Sequence, residues 1–266
     1  MLLTAINAAI EAGKAIFEVY NGTDFQIETK SDNSPLTLAD RRSHEIITQR
    51  LKDSGLPILS EEGKDIPYEE RKQWKKFWLV DPLDGTKEFI KRNGEFTVNI
   101  ALIENKYPIA GIIYVPVKKI LYFASQDIGS FMAENISTKA ESLDSLLKHA
   151  VKLPHTFPGG GYIIVASRSH INEETQRYID ERISQCPSYE IVSVGSSLKF
   201  CLVAEGRAHE YPRFGPTMEW DTAAGHAIVK FSGGKVIRTD NDQELEYNKE
   251  NLLNPYFIVK SNFLDR

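Results

Sequence analysis

Two apolar segments separated by only five residues constrain the fold more than any other feature of this chain. FTVNIALI (96–103) and IAGIIYVPV (109–117) are rich in β-branched and aromatic residues, and the short polar link ENKYP joins them. A link of this length pairs consecutive strands as an antiparallel hairpin. Further strand patterns at 77–80 and 120–124 extend the same sheet.

Two helix patterns precede this sheet. Apolar residues recur at helical spacing over 2–20, and a second helix is expected to begin near Thr37 and to end near Gly55. The first half of the chain is therefore predicted to be an α+β unit with an antiparallel sheet.

The second half alternates between strand and helix patterns, which is typical of an α/β unit. We predict strands at 162–166, 189–194, 208–211, 235–238 and 256–260, and helices at 172–184, 196–205 and 222–231. Residues 134–161 are more polar and contain LPHTFPGGG, so we interpret them as an insertion or linker. The predicted division is 1–133, then 134–161, then 162–266.

Composition excludes several classes of protein. The 266 residues carry 32 Lys and Arg against 37 Asp and Glu, a net charge of −5, which disfavours binding to nucleic acid. No apolar run of about 18 residues is present, so we expect no transmembrane segment. Because the chain has only Cys186 and Cys201, we expect a reducing compartment and therefore a cytoplasmic protein. We expect the protein to be a monomer or homodimer. Peripheral contact with the inner membrane is left open.

Two carboxylates stand close together directly after the first predicted strand. WLVDPLDGT (78–86) places Asp81 and Asp84 around Pro82, ahead of Gly85, which predicts a sharp turn with both carboxylates facing one point. Two such anions repel each other unless a cation lies between them. Oxygen ligands without nearby Cys or His favour Mg²⁺ or Mn²⁺ over zinc. A simple β-turn with no metal explains these residues equally well.

Three other acidic positions admit both a structural and a chemical role. Glu61 lies in the loop SEEG, where a solvated acidic loop is by itself the better explanation. Asp221 precedes a predicted helix, where it would serve as an N-cap. Thr37 and Asp40 have the spacing of a capping box.

Together, these motifs resemble the lithium-sensitive, magnesium-dependent phosphomonoesterase superfamily that includes inositol monophosphatase and fructose-1,6-bisphosphatase. The runs at 30–40 (KSDNSPLTLAD), 78–103 and 195–227 are most similar to one branch, the bacterial CysQ-type 3′(2′),5′-bisphosphate nucleotidases. The resemblance extends over nearly the whole chain, although 134–161 does not obviously fit. It implies a layered αβαβα sandwich whose first half binds metal and whose second half binds substrate.

The resemblance also implies a metal site with two or three Mg²⁺ ions, with Mn²⁺ as an alternative. Its ligands would be four carboxylates and one main-chain carbonyl: Glu61, Asp81, Leu83 (carbonyl), Asp84 and Asp221. Asp81 would bridge two ions, which explains why the motif carries two carboxylates. Four carboxylates and two Mg²⁺ ions balance in charge.

The remaining implied roles concern the reaction and the substrate. Asp40 and Thr86 would orient and deprotonate the attacking water, and Gly85 and Thr86 would present backbone N–H groups to a phosphate. The implied nucleotide contacts are Ser196, Lys199, Arg213 and, on the adenosine side, His170.

The expected activity is removal of the 3′-phosphate from 3′-phosphoadenosine 5′-phosphate to give AMP, which recycles a by-product of sulfur assimilation. The expected partner is thus a small phosphorylated nucleotide. One alternative keeps the chemistry and changes the substrate to inositol monophosphate or a sugar bisphosphate. An alternative of another class is a non-catalytic sensor that binds phosphorylated nucleotides.

Overall fold

The computed structural model describes residues 1–22, 28–29, 35–156, 161–167 and 172–263. The helices in these residues are α1 Leu2–Tyr20, α2 Leu38–Leu51, α3 Tyr68–Arg71, α4 Thr86–Ile90, α5 Leu143–His149, α6 Glu173–Ser184, α7 Leu198–Glu205 and α8 Glu219–Phe231. The strands are β1 Glu28–Thr29, β2 Pro35–Leu36, β3 Ile58–Ser60, β4 Lys76–Asp84, β5 Thr97–Glu104, β6 Tyr107–Val115, β7 Ile120–Ser125, β8 Gly129–Ala133, β9 Val151–Lys152, β10 Tyr162–Ser167, β11 Tyr189–Val194, β12 Glu210–Arg213, β13 Lys235–Arg238 and β14 Phe257–Lys260.

The first sheet contains seven strands in the order β3-β4-β5-β6-β7-β8-β9. Every pair from β4 to β9 is antiparallel, which confirms the predicted meander. The exception is β3, which was not predicted and pairs parallel with β4. The first sheet is therefore mixed, and β3 and β4 end at the same edge.

The second sheet contains five strands in the order β11-β10-β12-β14-β13. Strand β10 pairs parallel with β11 and β12, whereas β14 pairs antiparallel with β12 and β13. Parallel strands need crossover helices, and α6 and α7 supply them. The predicted α/β character of this half is confirmed.

Three apolar clusters define the layers. Helices α1 and α2 cover the outer face of the first sheet, helices α7 and α8 fill the space between the sheets, and α6 covers the outer face of the second sheet. The order of layers is therefore αβαβα, as expected. Strand β4 is buried on both faces, because Trp78 joins the outer cluster and Leu79 joins the cluster between the sheets.

Close packing positions α8 against the first sheet. Gly111 on β6 makes this approach possible, because a Cβ there would lie 2.5 Å from the Ala224 carbonyl oxygen and 2.6 Å from the Ala227 Cβ. A larger residue at this position would push α8 away from the sheet. The position of α8 matters because it carries Asp221.

The boundaries of helices agree best with the predictions where they are set by neighbouring residues in the sequence. Helix α1 has the predicted bounds, and α2 with the 3₁₀ turn after it ends at Gly55. Helix α8 begins at Glu219, three residues before the predicted start. The early start has a long-range cause, since the Glu219 N–H donates to the Leu252 carbonyl at 3.0 Å.

Residues 134–152 pack against the first sheet. Val151–Lys152 pairs with β8, and Leu146 of α5 is buried in the outer cluster. The division of the chain at 133 and 162 stays a prediction. Among the described residues, none of the helices combines the length and apolarity needed to cross a membrane.

Candidate active site

The parallel pairing of β3 and β4 brings Glu61 beside Asp81. Ser60 is aligned with Val80, and the Glu61 N–H donates to the Val80 carbonyl at 3.1 Å. The next residue on each strand is therefore a carboxylate. Parallel alignment explains how residues 20 apart in sequence meet at one edge of the sheet.

A β-bulge brings Asp84 to the same side of the strand as Asp81. On β5, Asn99 pairs with Asp81 and Thr97 pairs with Asp84, so three steps along β4 match two steps along β5. Residues three apart on a regular strand point to opposite faces, and the extra residue removes this difference. The predicted turn is wrong in its position, because Asp81 and Asp84 both lie within β4.

The chain turns at Gly85, one residue after the strand ends. Gly85 has a φ of 92° and is the N-cap of α4. A side chain would be strained in this left-handed conformation, and its Cβ would lie 3.1 Å from the Glu95 carbonyl oxygen. Helix α4 begins at the next residue, Thr86.

Asp221 reaches the same site from α8. It is the third helical residue and not the predicted N-cap, since Met218 occupies that position. Its Oδ2 accepts a hydrogen bond from the Met218 N–H at 2.8 Å. The carboxylate thus caps its own helix and also reaches the edge of the first sheet.

Glu61, Asp81 and Asp221 form the one group of three acidic side chains in the described residues whose ligand atoms all lie within 4.8 Å of one another. Burial raises the pKa of Asp81 well above its usual range, and neighbouring carboxylates, Glu61 first, raise it further. Burial also raises the pKa of Asp221, and Asp84 and Glu61 add to the effect. Clustered oxygen donors of this kind, with Asp81 buried and Glu61 and Asp221 half-buried, fit a hard divalent cation.

Asp84 lies beside this group and is held by the second half of the chain. Its Oδ2 accepts from the hydroxyls of Ser196 at 2.7 Å and Ser197 at 2.8 Å. The Asn99 amide lies 3.4 Å from the same oxygen. These contacts anchor the end of β4 to the segment before α7.

Thr86 and Asp40 are in contact, as the sequence suggested. The Thr86 hydroxyl donates to Asp40 Oδ1 at 3.2 Å and lies 3.4 Å from the Leu83 carbonyl oxygen. The other oxygen of Asp40 accepts from the Thr37 N–H at 2.8 Å and from the Thr37 hydroxyl at 2.5 Å. The capping box is therefore present and also orients Asp40 towards Thr86.

One cavity of about 310 Å³ joins these carboxylates to two buried cations. Glu61, Asp84 and Asp221 line it together with Lys199 and Arg213. Burial lowers the pKa of Lys199 to about 8, although Asp84 opposes this effect. The cavity thus contains both signs of charge.

Comparison with known proteins identifies the fold and the family. The chain matches the inositol monophosphatase family over residues 1–262. This protein belongs to the inositol monophosphatase family. Members of this family are metal-dependent, which agrees with the acidic cluster.

Individual members of the family are similar over nearly their full length. The 3′(2′),5′-bisphosphate nucleotidase CysQ of Salmonella typhimurium is 44% identical over 263 residues, which cover 97% of this chain and 99% of the relative. That of Escherichia coli K12 is 44% identical over 264 residues, with the same coverage. The crystal structure of CysQ from Bacteroides thetaiotaomicron, with 49% identity, superimposes with a TM-score of 0.92 and covers 98% of this chain and 97% of that one.

The structure brings together most of the site residues that were predicted from the sequence of this protein. Ser196 lies at the site, but its hydroxyl contacts Asp84 and Thr97. His170 lies outside the described residues, as do residues 30–34 of the motif KSDNSPLTLAD. Their predicted roles stay predictions.

Two contributors to the site were missed by the sequence analysis. Asn99 is buried in the mostly apolar strand β5 and donates to Ser197 at 2.9 Å. The Ser197 hydroxyl donates to Asp84 Oδ2 at 2.8 Å, and the Asp221 carbonyl oxygen lies 3.0 Å from the same hydroxyl. A lone polar residue in a buried strand pattern is the signal that could have identified Asn99.

The substitution Asp81→Asn should stabilise the metal-free protein at neutral pH. Because the folded-state pKa of Asp81 is raised, the benefit of protonation is complete below the unfolded value of 3.8 and is lost as pH rises through the folded pKa. Asn does not ionise and keeps an acceptor for the Leu83 N–H. We therefore expect the stability of wild type relative to Asp81→Asn to fall with increasing pH, measured by urea unfolding in EDTA.

Asp240→Asn is the matched control for this experiment. Its exposed carboxyl has a pKa lowered by the hydrogen bond from Arg238, so the pH trend should be absent or reversed. A stability difference for Asp81→Asn that stays constant with pH would contradict repulsion within the cluster.

Proposed function

We propose that this protein is a Mg²⁺-dependent phosphomonoesterase that hydrolyses the 3′-phosphate of 3′-phosphoadenosine 5′-phosphate to AMP and phosphate. The observation that carries the proposal is the single cavity lined by acidic side chains and by the buried cations Lys199 and Arg213. The high identity to proteins named 3′(2′),5′-bisphosphate nucleotidase supports it.

The acidic side chains supply the donor set for the metal. We assign one ion to Glu61, Asp81 and the Leu83 carbonyl, and a second to Asp81, Asp84 and Asp221. The clustered carboxylates Asp81 and Asp221, whose pKa values are raised, fit such cations, because Mg²⁺ and Mn²⁺ prefer hard oxygen donors. When bound, the cations stabilise the charge of the reacting phosphoryl group and favour ionisation of the attacking water.

Thr86 and Asp40 are assigned to that water. The Thr86 hydroxyl proton points to Asp40, so the lone pairs of the same oxygen are available to accept from a water. Asp40 is 1% exposed and fixed by two contacts from Thr37, which preserves its orientation. The pair therefore positions the nucleophile and can take its proton.

Lys199 and Arg213 are assigned to the second phosphate of the substrate. Arg213 is 8% exposed, donates through Nη2 to the Pro216 carbonyl, and has an Nε without a hydrogen-bond partner among the described residues. A buried donor without an acceptor is unfavourable, and a phosphate oxygen would satisfy it. Gly85 and Thr86 are assigned to the phosphate that reacts, through their backbone N–H groups.

We place this activity in the cytoplasm, with the protein acting as a monomer or homodimer. Cys186 and Cys201 are free thiols, which supports a reducing compartment.

The first prediction from this proposal concerns substrate preference. With Mg²⁺, kcat/KM for 3′-phosphoadenosine 5′-phosphate should exceed that for inositol 1-phosphate by more than about 10-fold, because the latter lacks the second phosphate and so loses one charge-assisted contact. It should also exceed that for fructose 1,6-bisphosphate. Phosphate release measured with and without Mg²⁺ tests this. Preference for inositol or sugar phosphates would contradict the nucleotide assignment, and absence of any release would favour the sensor.

Thr86→Ala should lose rate without losing metal affinity, because Thr86 is assigned to the water and not to a cation. We expect kcat to fall by about 10²–10⁴-fold at an unchanged half-saturating Mg²⁺ concentration. Thr86→Ser keeps the hydroxyl and should recover most of the rate. A near-normal kcat with a raised metal requirement would show that Thr86 serves the metal instead.

Arg213→Ala should lower kcat/KM far more for bisphosphate substrates than for monophosphate substrates. One charge-assisted contact contributes about 1.5–3 kcal/mol, or about 10–150-fold in kcat/KM. Arg213→Lys should recover only part of the loss, because Lys lacks the two parallel donors of Arg.

The test compares 3′-phosphoadenosine 5′-phosphate with adenosine 3′-monophosphate for wild type and both Arg213 variants. Any structural damage lowers kcat/KM for both substrates, so their ratio isolates the contact. An equal loss on the two substrates means that Arg213 does not read the 5′-phosphate.

A further inference from the structure

Three polar residues outside the cavity link the segment after Glu61 to the first turn of α8. Arg71 and Glu219 are buried, and Asn248 is half-buried. Arg71 comes from the first half of the chain, and Asn248 and Glu219 come from the second half. Glu61 and Asp221 reach the metal site from these same two segments. Their relative position therefore depends on how firmly the segments are joined.

Arg71 forms the first link. It ends α3, which follows the loop after Glu61, and it is only 3% exposed. Its Nε donates to the Ile66 carbonyl at 2.9 Å, within that loop. Its Nη1 donates to Asn248 Oδ1 at 2.9 Å and to the Lys249 carbonyl at 3.1 Å. The planar guanidinium can serve both segments because its donors form a rigid fork.

Asn248 forms the second link. Its φ of 65° is left-handed, a conformation that Asn adopts more readily than most residues. Its side chain returns a hydrogen bond to the Arg71 carbonyl at 2.7 Å, and its N–H donates to Glu219 Oε2 at 2.6 Å. The residue therefore connects Arg71 to α8 through both its side chain and its backbone.

Glu219 completes the connection. This fully buried carboxylate is the first residue of α8, two positions before Asp221. Its Oε1 accepts from the Lys249 N–H at 2.9 Å and from Lys249 Nζ at 2.5 Å. Asn254 also fixes this turn, because its amide donates to the Met218 carbonyl at 2.8 Å.

We propose that Arg71, Asn248 and Glu219 form a clamp that positions Glu61 and Asp221 for metal binding. The inference rests on the metal site of the proposed function. Repulsion drives the two carboxylates apart when no cation is bound. The clamp opposes this movement, so less free energy is needed to assemble the site when the cation binds. The three residues are positioning residues that act through Glu61 and Asp221.

Asn248→Gly is the sharpest test, because it removes both side-chain bonds to Arg71. Glycine tolerates the left-handed backbone, which keeps the N–H donor to Glu219. Asn135→Gly is the matched control, since Asn135 also has a left-handed φ, of 59°, and lies after β8. Glu219→Gln tests the other end of the clamp.

The measurement is the Mg²⁺ dependence of the unfolding temperature of the full chain without substrate. We expect Asn248→Gly and Glu219→Gln to raise the half-saturating Mg²⁺ concentration by about 10-fold, the lower range for residues that orient metal ligands. Asn135→Gly should leave it unchanged. At saturating Mg²⁺, kcat of Asn248→Gly should be close to that of wild type.

Several outcomes would overturn the inference. An unchanged half-saturating Mg²⁺ concentration in Asn248→Gly would show that the clamp has only a structural role. The proposed metal site would then still stand. A loss of kcat at saturating Mg²⁺ with no change in that concentration would show the same. Absence of a Mg²⁺-induced shift in wild type overturns the metal site itself and the clamp with it. If Glu219→Gln does not fold, Asn248→Gly alone decides.

Discussion

Repulsion between clustered carboxylates is the interaction on which the rest of this structure depends. Glu61, Asp81 and Asp221 bring their oxygen atoms within 4.8 Å of one another, and burial raises the pKa values of the two aspartates. Left to local preferences, such groups would separate or hold protons. The fold keeps them together, and the cations of the proposed function would relieve the repulsion. Stability lost in the metal-free state is the expected price of a site organised for binding.

Three structural features hold these carboxylates together despite their repulsion. Parallel pairing of β3 and β4 aligns Glu61 with Asp81, and the bulge in β4 turns Asp84 to the same side. Close packing of α8 on Gly111 brings Asp221 to the sheet. These three features belong to separate segments of the chain, so the site exists only when both halves have folded.

The two halves also divide the chemistry. The first half supplies Glu61, Asp81, Asp84 and the Thr86–Asp40 pair, whereas the second supplies Asp221, Lys199 and Arg213. Asp84 joins the halves directly, through the hydroxyls of the segment before α7. This arrangement suits the proposed substrate with two phosphates, since one cavity offers an acidic end for the proposed metal and fixed cations. It also explains why contacts between the halves, such as those of Arg71, are well placed to influence metal binding.

The sequence alone determined the features that have local causes. The bounds of α1, the capping box at Thr37 and the antiparallel meander follow from spacing and turn chemistry. The acidic residues were singled out through the resemblance of their motifs to the family, because a β-turn, an acidic loop and a helix cap explain the same residues without a metal. The tertiary structure decided the features that depend on pairing between residues far apart in sequence. Helix α8 starts at Glu219 because distant backbone and side-chain partners extend its first turn, and only this makes Asp221 the third helical residue. Strand β3 was missed because three residues carry too little pattern, and its pairing with β4 is what places Glu61. Local propensity sets the elements, but hydrogen bonds between residues far apart in sequence set the distances between the carboxylates.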